Sequence, residues 1–511
     1  MNLRKLFTWT ARLFSAVAQL SGWPLRLFVF AALLAVLVPV SLRRLVDGDE
    51  GYLLMGARLV SEGQRPYADF FFPQMPGFAY VFGAWFALAA RNWTMARDLC
   101  AAVCAATGLC VFELVWRGTR RRRWALLAAG FFVAHAFTLG WLTIAKTYGL
   151  TALCVAAGCV AFSQPRARSW LGLAGLCFAL AAQMRLYAGV LIPVGGAVLL
   201  VQLWRERQLN RNALGLVGTY VAGALLGACV LVPSLVADKG AWWFGTVLFH
   251  GMREAGQTEL VGDLTQKWDT LRSLLPLAPE RTPAQIQFAV VLFPAALARL
   301  LWIGQPLRIV GLAWMALFAV SLLPTPTHDQ YFSVLLPLLV ADALILLSRV
   351  PWRFTWVGGA VLLFVFARLG AAELQRYTTT GLDVPGVWTT ARVPRWHLRT
   401  MRKVARAIDD QAAAEGASWW PGYFVSTRTP IVRSLANDFG FRVADRIAPE
   451  QKARFHVASH ADVAAMIAAR KPRLFVQGNW AATPPADQLP RAGYVQTAAI
   501  ENVQLWLAPP P

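Results

Sequence analysis

Charge is scarce in this chain, and acid is scarcer still. Only 15% of the 511 residues are Asp, Glu, Lys or Arg, against about 25% in soluble globular domains. Hydrophobic residues make up 57%. That balance excludes an ordinary soluble fold, because many windows exceed the ~18 apolar residues that read as a transmembrane helix. The 27 acidic residues face 49 basic ones, a net charge of +22. In a soluble protein such an excess points first to nucleic acid. Here the arginines lie between hydrophobic runs, where membrane orientation accounts for them, and no nucleic-acid partner is expected. Cysteine is missing from every long polar stretch. Cys100, Cys104, Cys110, Cys154, Cys159, Cys177 and Cys229 all fall inside apolar runs. This excludes a disulfide framework and leaves them as small buried apolar side chains. No internal repeat, phosphate-binding glycine loop or zinc spacing occurs. His456 and His460 stand four apart without further ligands nearby, so they read as a solvated helix face and no metal site is expected.

What is present is a series of apolar spans. Arg4, Lys5 and Arg12 precede the first, with no small-residue cleavage site after it, which reads as an uncleaved anchor. Leu6, Leu13, Val17 and Leu20 share one face of residues 3–20, the pattern of a helix lying in the membrane interface. Orientation then turns on Pro73 to Ala90. If that segment lies along the interface instead of crossing, the linkers 117–123, 166–168, 205–211, 299–308 and 349–353 fall on one side with fourteen arginines. The opposite side holds six cations: Arg58, Arg65, Arg91, Arg97, Lys146 and Arg185. The positive-inside rule favours this arrangement. It predicts eleven spans, at about 25–46, 95–116, 124–143, 147–163, 169–184, 187–204, 213–235, 285–303, 306–323, 331–348 and 353–371. The N-terminus is then cytoplasmic and the C-terminus external. A long external loop is expected at 237–284, its Trp242, Trp243 and Phe244 suited to the headgroup level. From 372 the character changes. Leu398, Met401, Ala405 and Ile408 recur at helical spacing, while GYFVST, RLFVQG and VQLWLA read as short strands. The expected division is therefore 1–371, a transmembrane unit, and 372–511, a small α/β domain outside the membrane.

One stretch organises the rest. Asp47-Gly48-Asp49-Glu50-Gly51-Tyr52 follows the first span and places three carboxylates in four residues at a membrane surface. As a bare D-G-D-E it is equally a solvated turn. The continuation GYLLMGARLVSEGQRPYADFFFPQMPGFAYVFGAW decides between these readings. A small helix carrying an arginine, then G-x-x-P-Y-x-D-F, then Pro-x-x-Pro into an aromatic helix, resembles the first external loop of membrane glycosyltransferases of the GT-C class. It is most similar to the protein mannosyltransferase and aminoarabinose transferase branch (glycosyltransferase 39-like). The likeness covers about residues 25–120 well and continues in hydropathy to about 370. It implies an α-helical multi-pass GT-C fold of about eleven transmembrane helices plus interfacial helices, including half-inserted ones in the first external loop (about 47–94). It implies a bacterial inner membrane, a polyprenyl-phosphate-linked sugar donor, and a lipid, glycan or protein as acceptor.

Such a transfer needs a carboxylate to take the acceptor's proton, cations for the departing phosphate and an apolar groove for the lipid. Charge near a membrane is costly without work or a partner, so the external ends of the spans are the places to search. The resemblance puts the catalytic acid in the first loop. Asp49 fits, since the N-terminus of a helix over 50–62 favours an ionised carboxylate able to accept a proton. Glu50 is the neighbouring alternative, and Asp47 a capping residue. Like charges this close raise one another's pKa, so which is the base stays open. The external cations are Arg58, Lys146, Arg185 and the pair His250/Arg253. Arg58 equally suits an i,i+4 pair with Glu62, and Arg185 equally suits snorkelling to the interface or an anion grip. His328, Gln330 and Tyr331, in PTPTHDQYF, stand where relatives contact donor, although PTPT is also turn chemistry. Relatives often carry a basic residue beside Pro-x-x-Pro; here Gln74 and Met75 stand there, so phosphate binding must come from elsewhere. The acidic cluster offers oxygen ligands to a divalent cation, Mg2+ or Mn2+, without a complete cage. The rival readings are a transporter or flippase of lipid-linked sugars, which predicts Gly/Pro-broken helices in two matching halves, and a catalytically silent GT-C-like scaffold. No such symmetry is visible.

Overall fold

The computed structural model describes residues 22–164, 167–207, 211–254, 260–275, 277, 282–301, 308–350, 355–382, 384, 387, 396–478 and 487–510. The expected interfacial helix at 3–20 lies outside them. The protein is a mostly helical, multi-pass membrane protein, and a helix coincides with each of the eleven expected spans. Among the described residues, seven helices are long and apolar enough to cross a membrane. They include α1 (Gly22–Arg43) and α4 (Trp93–Thr119). Between these lie α2 (Gly48–Ser61) and α3 (Gly77–Leu88). The 12 residues of α3 reach about 18 Å, well short of a ~30 Å hydrocarbon core, so it does not cross. A helix of that length suits the interfacial placement expected from the charge count. Further along, α5 (Thr147–Phe162) and α6 (Arg168–Met184) complete the elements that carry the site.

Small residues let these helices approach closely. A Cβ on Gly223, in helix Arg211–Ala228, would lie 1.9 Å from the Gly172 carbonyl of α6; only glycine permits that crossing, as in membrane helix pairs generally. One charge pair lies inside the bundle: Arg299 Nε donates to Asp342 Oδ2 at 2.7 Å, and Trp314 Nε1 donates to the same oxygen at 2.8 Å. The last membrane helix runs on to Thr380 instead of ending at 371, because Tyr377 packs into the bundle core.

Two stretches differ from expectation. Within the expected loop 237–284, residues 237–254 and 260–274 are helical, with a π turn at Phe244–Leu248. Phe244 is buried, stacked 4.1 Å from Phe455, and not at a headgroup surface. In the C-terminal part, RLFVQG and VQLWLA do form strands, within β2 (Leu474–Gln477) and β4 (Val503–Leu507), but GYFVST does not. Pro421 starts a 3-10 turn there, and Tyr423, Phe424 and Val425 are all buried, so the alternation a half-buried strand needs is lost. The remaining strands are β1 (Gly416–Ser418) and β3 (Val495–Ile500), giving the order β1-β2-β4-β3 with only β1–β2 parallel. Helix α7 (Leu398–Asp410) buries Leu398, Met401, Val404, Ala405 and Ile408, the face its spacing marks. His456 and His460 are not a shared solvated face. His456 ends the short helix Pro449–Phe455 with its ring nitrogen 2.9 Å from the Ala68 carbonyl, and His460 stacks on Phe441.

Apolar side chains form two clusters. One belongs to the membrane helices. The second joins the first loop (Tyr52, Leu53, Phe70, Phe78) to the C-terminal sheet and its turns (Ala417, Trp420, Tyr423, Phe475) in a single core. The boundary expected at 371/372 thus runs through a shared interior. Trp420 Nε1 donates to the Gly48 carbonyl at 2.9 Å, and its ring lies against Gly51, where a Cβ would come within 2.5 Å of it.

Candidate active site

The elbow between α1 and α2 is built from local capping and one distant arginine. Asp47 caps α2: its Oδ1 accepts from Asp49 N at 2.9 Å, while Glu50 Oε2 accepts from Asp47 N at 3.0 Å, a capping box. Glu50 then receives Arg97 of α4 as a fork, Nε to Oε1 at 2.7 Å and Nη2 to Oε2 at 2.6 Å, and Ala145 N donates to Oε1 at 2.8 Å. Both side chains are 0% exposed. Every lone-pair direction of Glu50 is therefore engaged by protein, which is what allows a buried ion pair to persist.

Asp49, one residue earlier, points elsewhere. Its side chain is 37% exposed and its Oδ2 lies 2.9 Å from Lys146 Nζ. The same ammonium lies 2.9 Å from Asp47 Oδ1 and over the Trp141 ring. Burial alone would lower the pKa of Lys146, but the two carboxylates outweigh it and hold the ammonium above its ordinary value. So Lys146 stays protonated, its charge set against both carboxylates.

Asp49 opens on a cavity of about 240 Å³. Arg185 also lines it, at the break where α6 ends: an extended backbone, φ −143°, turns its side chain off the helix. The guanidinium lies 4.3 Å from the Tyr148 ring centroid, 5.0 Å from Tyr187 and 5.2 Å from Tyr331, and Nη1 donates to Thr147 Oγ1 at 3.0 Å. No carboxylate pairs with it among the described residues. A guanidinium held by three tyrosine faces keeps its orientation while its charge stays uncompensated, a setting for an anionic ligand. Gln330 adds a buried Oε1 without a hydrogen-bond partner. The C-terminal part supplies Phe439 and Arg442 to the wall, the guanidinium 4.8 Å over the ring. Just behind, Asp438 is buried, and burial together with the nearby Asp49 charge raises its carboxyl to about 8.

No protein-family model and no curated protein matches this chain. Solved structures do. ArnT from Cupriavidus metallidurans bound to undecaprenyl phosphate superimposes with a TM-score of 0.65, at 14% identity over 95% of this chain and 99% of that one. The apo state of the same protein gives 0.61 at 14% identity and the same coverage. The chain has the GT-C fold. An Archaeoglobus fulgidus oligosaccharyltransferase aligns more loosely, with a TM-score of 0.47 and 13% identity over 93% of this chain and 73% of that one.

Within the GT-C fold, the sequence-selected residues divide. Asp49, Lys146, Arg185, His250, His328, Gln330 and Tyr331 converge on the one cavity from five separate regions of the chain. Glu50 does not line it; the Arg97 pair takes it into the interior. Arg58 does not line it either. Its Nε pairs with Glu62 Oε1 at 2.9 Å, as the i,i+4 reading allowed, and its remaining donors bond Phe424 O, Thr427 Oγ1 and Thr429 O. It fastens α2 to the C-terminal part. The Arg253 side chain lies outside the described residues. Gln74 lines the cavity as an uncharged amide. Sequence reasoning passed over Tyr52, Tyr148, Phe439 and Arg442; only NDFGFR (437–442), an Asn cap leading to an arginine, carried any local signal. Among the described residues, no three His, Cys, Asp or Glu side chains gather as metal ligands.

Proposed function

We propose that the protein is a glycosyltransferase that moves a sugar, hexosyl or pentosyl, from a polyprenyl-phosphate-linked donor to a lipid, glycan or protein acceptor. The reaction takes place on the external face of a bacterial inner membrane, with the N-terminus cytoplasmic and the C-terminal part periplasmic. The observation that carries this reading is one cavity lined both by a partly exposed carboxylate, Asp49, and by the uncompensated Arg185 guanidinium. The undecaprenyl phosphate in the ArnT structure of the same fold supports the class of donor.

Asp49 takes the proton of the acceptor hydroxyl as its oxygen bonds the anomeric carbon. The bond from that carbon to the phosphate oxygen breaks on the opposite face, so configuration inverts. Arg185 meets the charge growing on the departing phosphate, held by its tyrosines at no further cost in reorganisation. His250, His328, Gln330 and Tyr331 border the donor's phosphate and sugar. Lys146 keeps Asp49 ionised. The carboxylate pair is a poor fit for Mg2+ or Mn2+, because the Lys146 ammonium already lies 2.9 Å from an oxygen of each, and no step is routed through a metal. Acceptor choice falls to the walls built by 237–284 and the C-terminal part, which add His250, Phe439 and Arg442. Mass spectrometry of lipid co-purified with the solubilised protein tests the donor: a prenyl-phosphate species is expected, and a donor-loaded Asp49→Asn variant should bind it without turnover. Undiminished transfer by that variant would remove Asp49 from the mechanism.

A further inference from the structure

A second cavity, of about 460 Å³, lies between the start of α4 and one side of α7. Its floor is Trp93, Thr94 and Met95, the first turn of a 27-residue apolar span, so it opens where hydrocarbon gives way to water. Leu88, four residues before its first lining residue Asn92, is 85% exposed, apolar surface suited to acyl chains at that level. Its other wall carries Arg402 and Arg406. These belong to an exposed stripe on α7, Arg399, Arg402, Lys403 and Arg406, at the 3–1–3 spacing that keeps side chains on one helix face. Arg402 Nη2 donates to Thr94 Oγ1 at 3.2 Å, tying the stripe to the end of the span. None of the four cations has a carboxylate partner among the described residues. The acid lining the cavity, Asp409, is occupied: its Oδ1 accepts from Arg428 N and Thr429 N.

A like-charged row beside a membrane span, over a polar and apolar floor and facing a single carboxylate that is turned onto the backbone of 428–429, keeps a net positive charge complementary to anions fixed in the membrane plane. We infer that this groove binds the headgroup phosphate of an anionic phospholipid, with Arg402 and Arg406 as the phosphate ligands and Arg399 and Lys403 adding only diffuse attraction. The site is separate from the sugar-transfer cavity and does not depend on the reading given to it.

Native mass spectrometry of the purified full chain, titrated with phosphatidylglycerol or with phosphatidylcholine of matched acyl chains, tests this. The wild type should retain one phosphatidylglycerol in preference to phosphatidylcholine. The pair R402Q/R406Q should lower that retention about tenfold, with an unchanged melting temperature. R402K/R406K should keep most of it, and R399Q/K403Q, outside the cavity, should keep nearly all. Equal retention of the two lipids by wild type would overturn the inference. So would equal loss in R399Q/K403Q, which would mean diffuse attraction only. Displacement of the lipid by inorganic phosphate at equal concentration would also overturn it, since the site would then recognise a free ion.

Discussion

Two neighbouring carboxylates should fail in opposite ways. Glu50 accepts four hydrogen bonds, from Arg97 Nε and Nη2, Ala145 N and Asp47 N, and is wholly buried. Glu50→Gln keeps the shape but leaves the Arg97 guanidinium buried without its anion. Breaking one partner of such a pair costs about 3–5 kcal/mol, enough to lower the melting temperature by several degrees. Asp49 has a half-exposed side chain, and Lys146 keeps Asp47 when Asp49 is neutralised. Asp49→Asn should therefore cost below about 1 kcal/mol, while the loss of a general base lowers turnover by about 10²–10⁴. Both can be read on one preparation: tryptophan-monitored thermal unfolding in detergent, and release of polyprenyl phosphate from a labelled donor in reconstituted vesicles. Stability intact in Glu50→Gln, or turnover intact in Asp49→Asn, would refute the division of labour drawn from the elbow.

Arg185→Gln should lower turnover by about 10²–10³ while leaving the melting temperature nearly unchanged; an effect on donor KM alone would mean that the guanidinium only binds. Arg185→Lys should restore little, because an ammonium cannot use three ring faces and a fork at once. Asp438 gives a pH test: its carboxyl, raised to about 8, keeps a proton in the folded chain that the unfolded chain loses near pH 4. That contribution to stability is complete below about pH 4 and lost as pH climbs through about 8. Asp438→Asn should gain on the wild type across that window, and a melting-temperature difference that stays flat between about pH 5 and pH 9 would contradict the burial argument. Gly51→Ala drives a methyl into the Trp420 ring, 2.5 Å away; overpacking of this kind costs about 1–3 kcal/mol and should speed proteolysis of the C-terminal part.

The helices at the expected spans and the shortness of α3 were legible in the sequence because hydropathy is a local quantity. Asp49 was legible through the motif that follows it. Its separation from Glu50 was not, since that rests on Arg97, which is 47 positions away and, from the sequence alone, is just one more external cation. Arg58 shows the same limit: its i,i+4 partner could be named, but not the carbonyls more than 360 residues further on that absorb its other donors. GYFVST has strand composition, yet Pro421 and burial on all sides make it a turn. Phe439 and Arg442 reach the cavity only because two parts of the chain share a core, and no periodicity records such a union.

The bond from Trp420 to Gly48 spans 372 positions. During synthesis, every membrane helix is made before the residue that braces the elbow leaves the ribosome. Until the final quarter of the polypeptide has been made and folded, the elbow lacks that brace. A chain cut short after its last span would keep the capping box and the Arg97 pair of the elbow but lack the bond from Trp420.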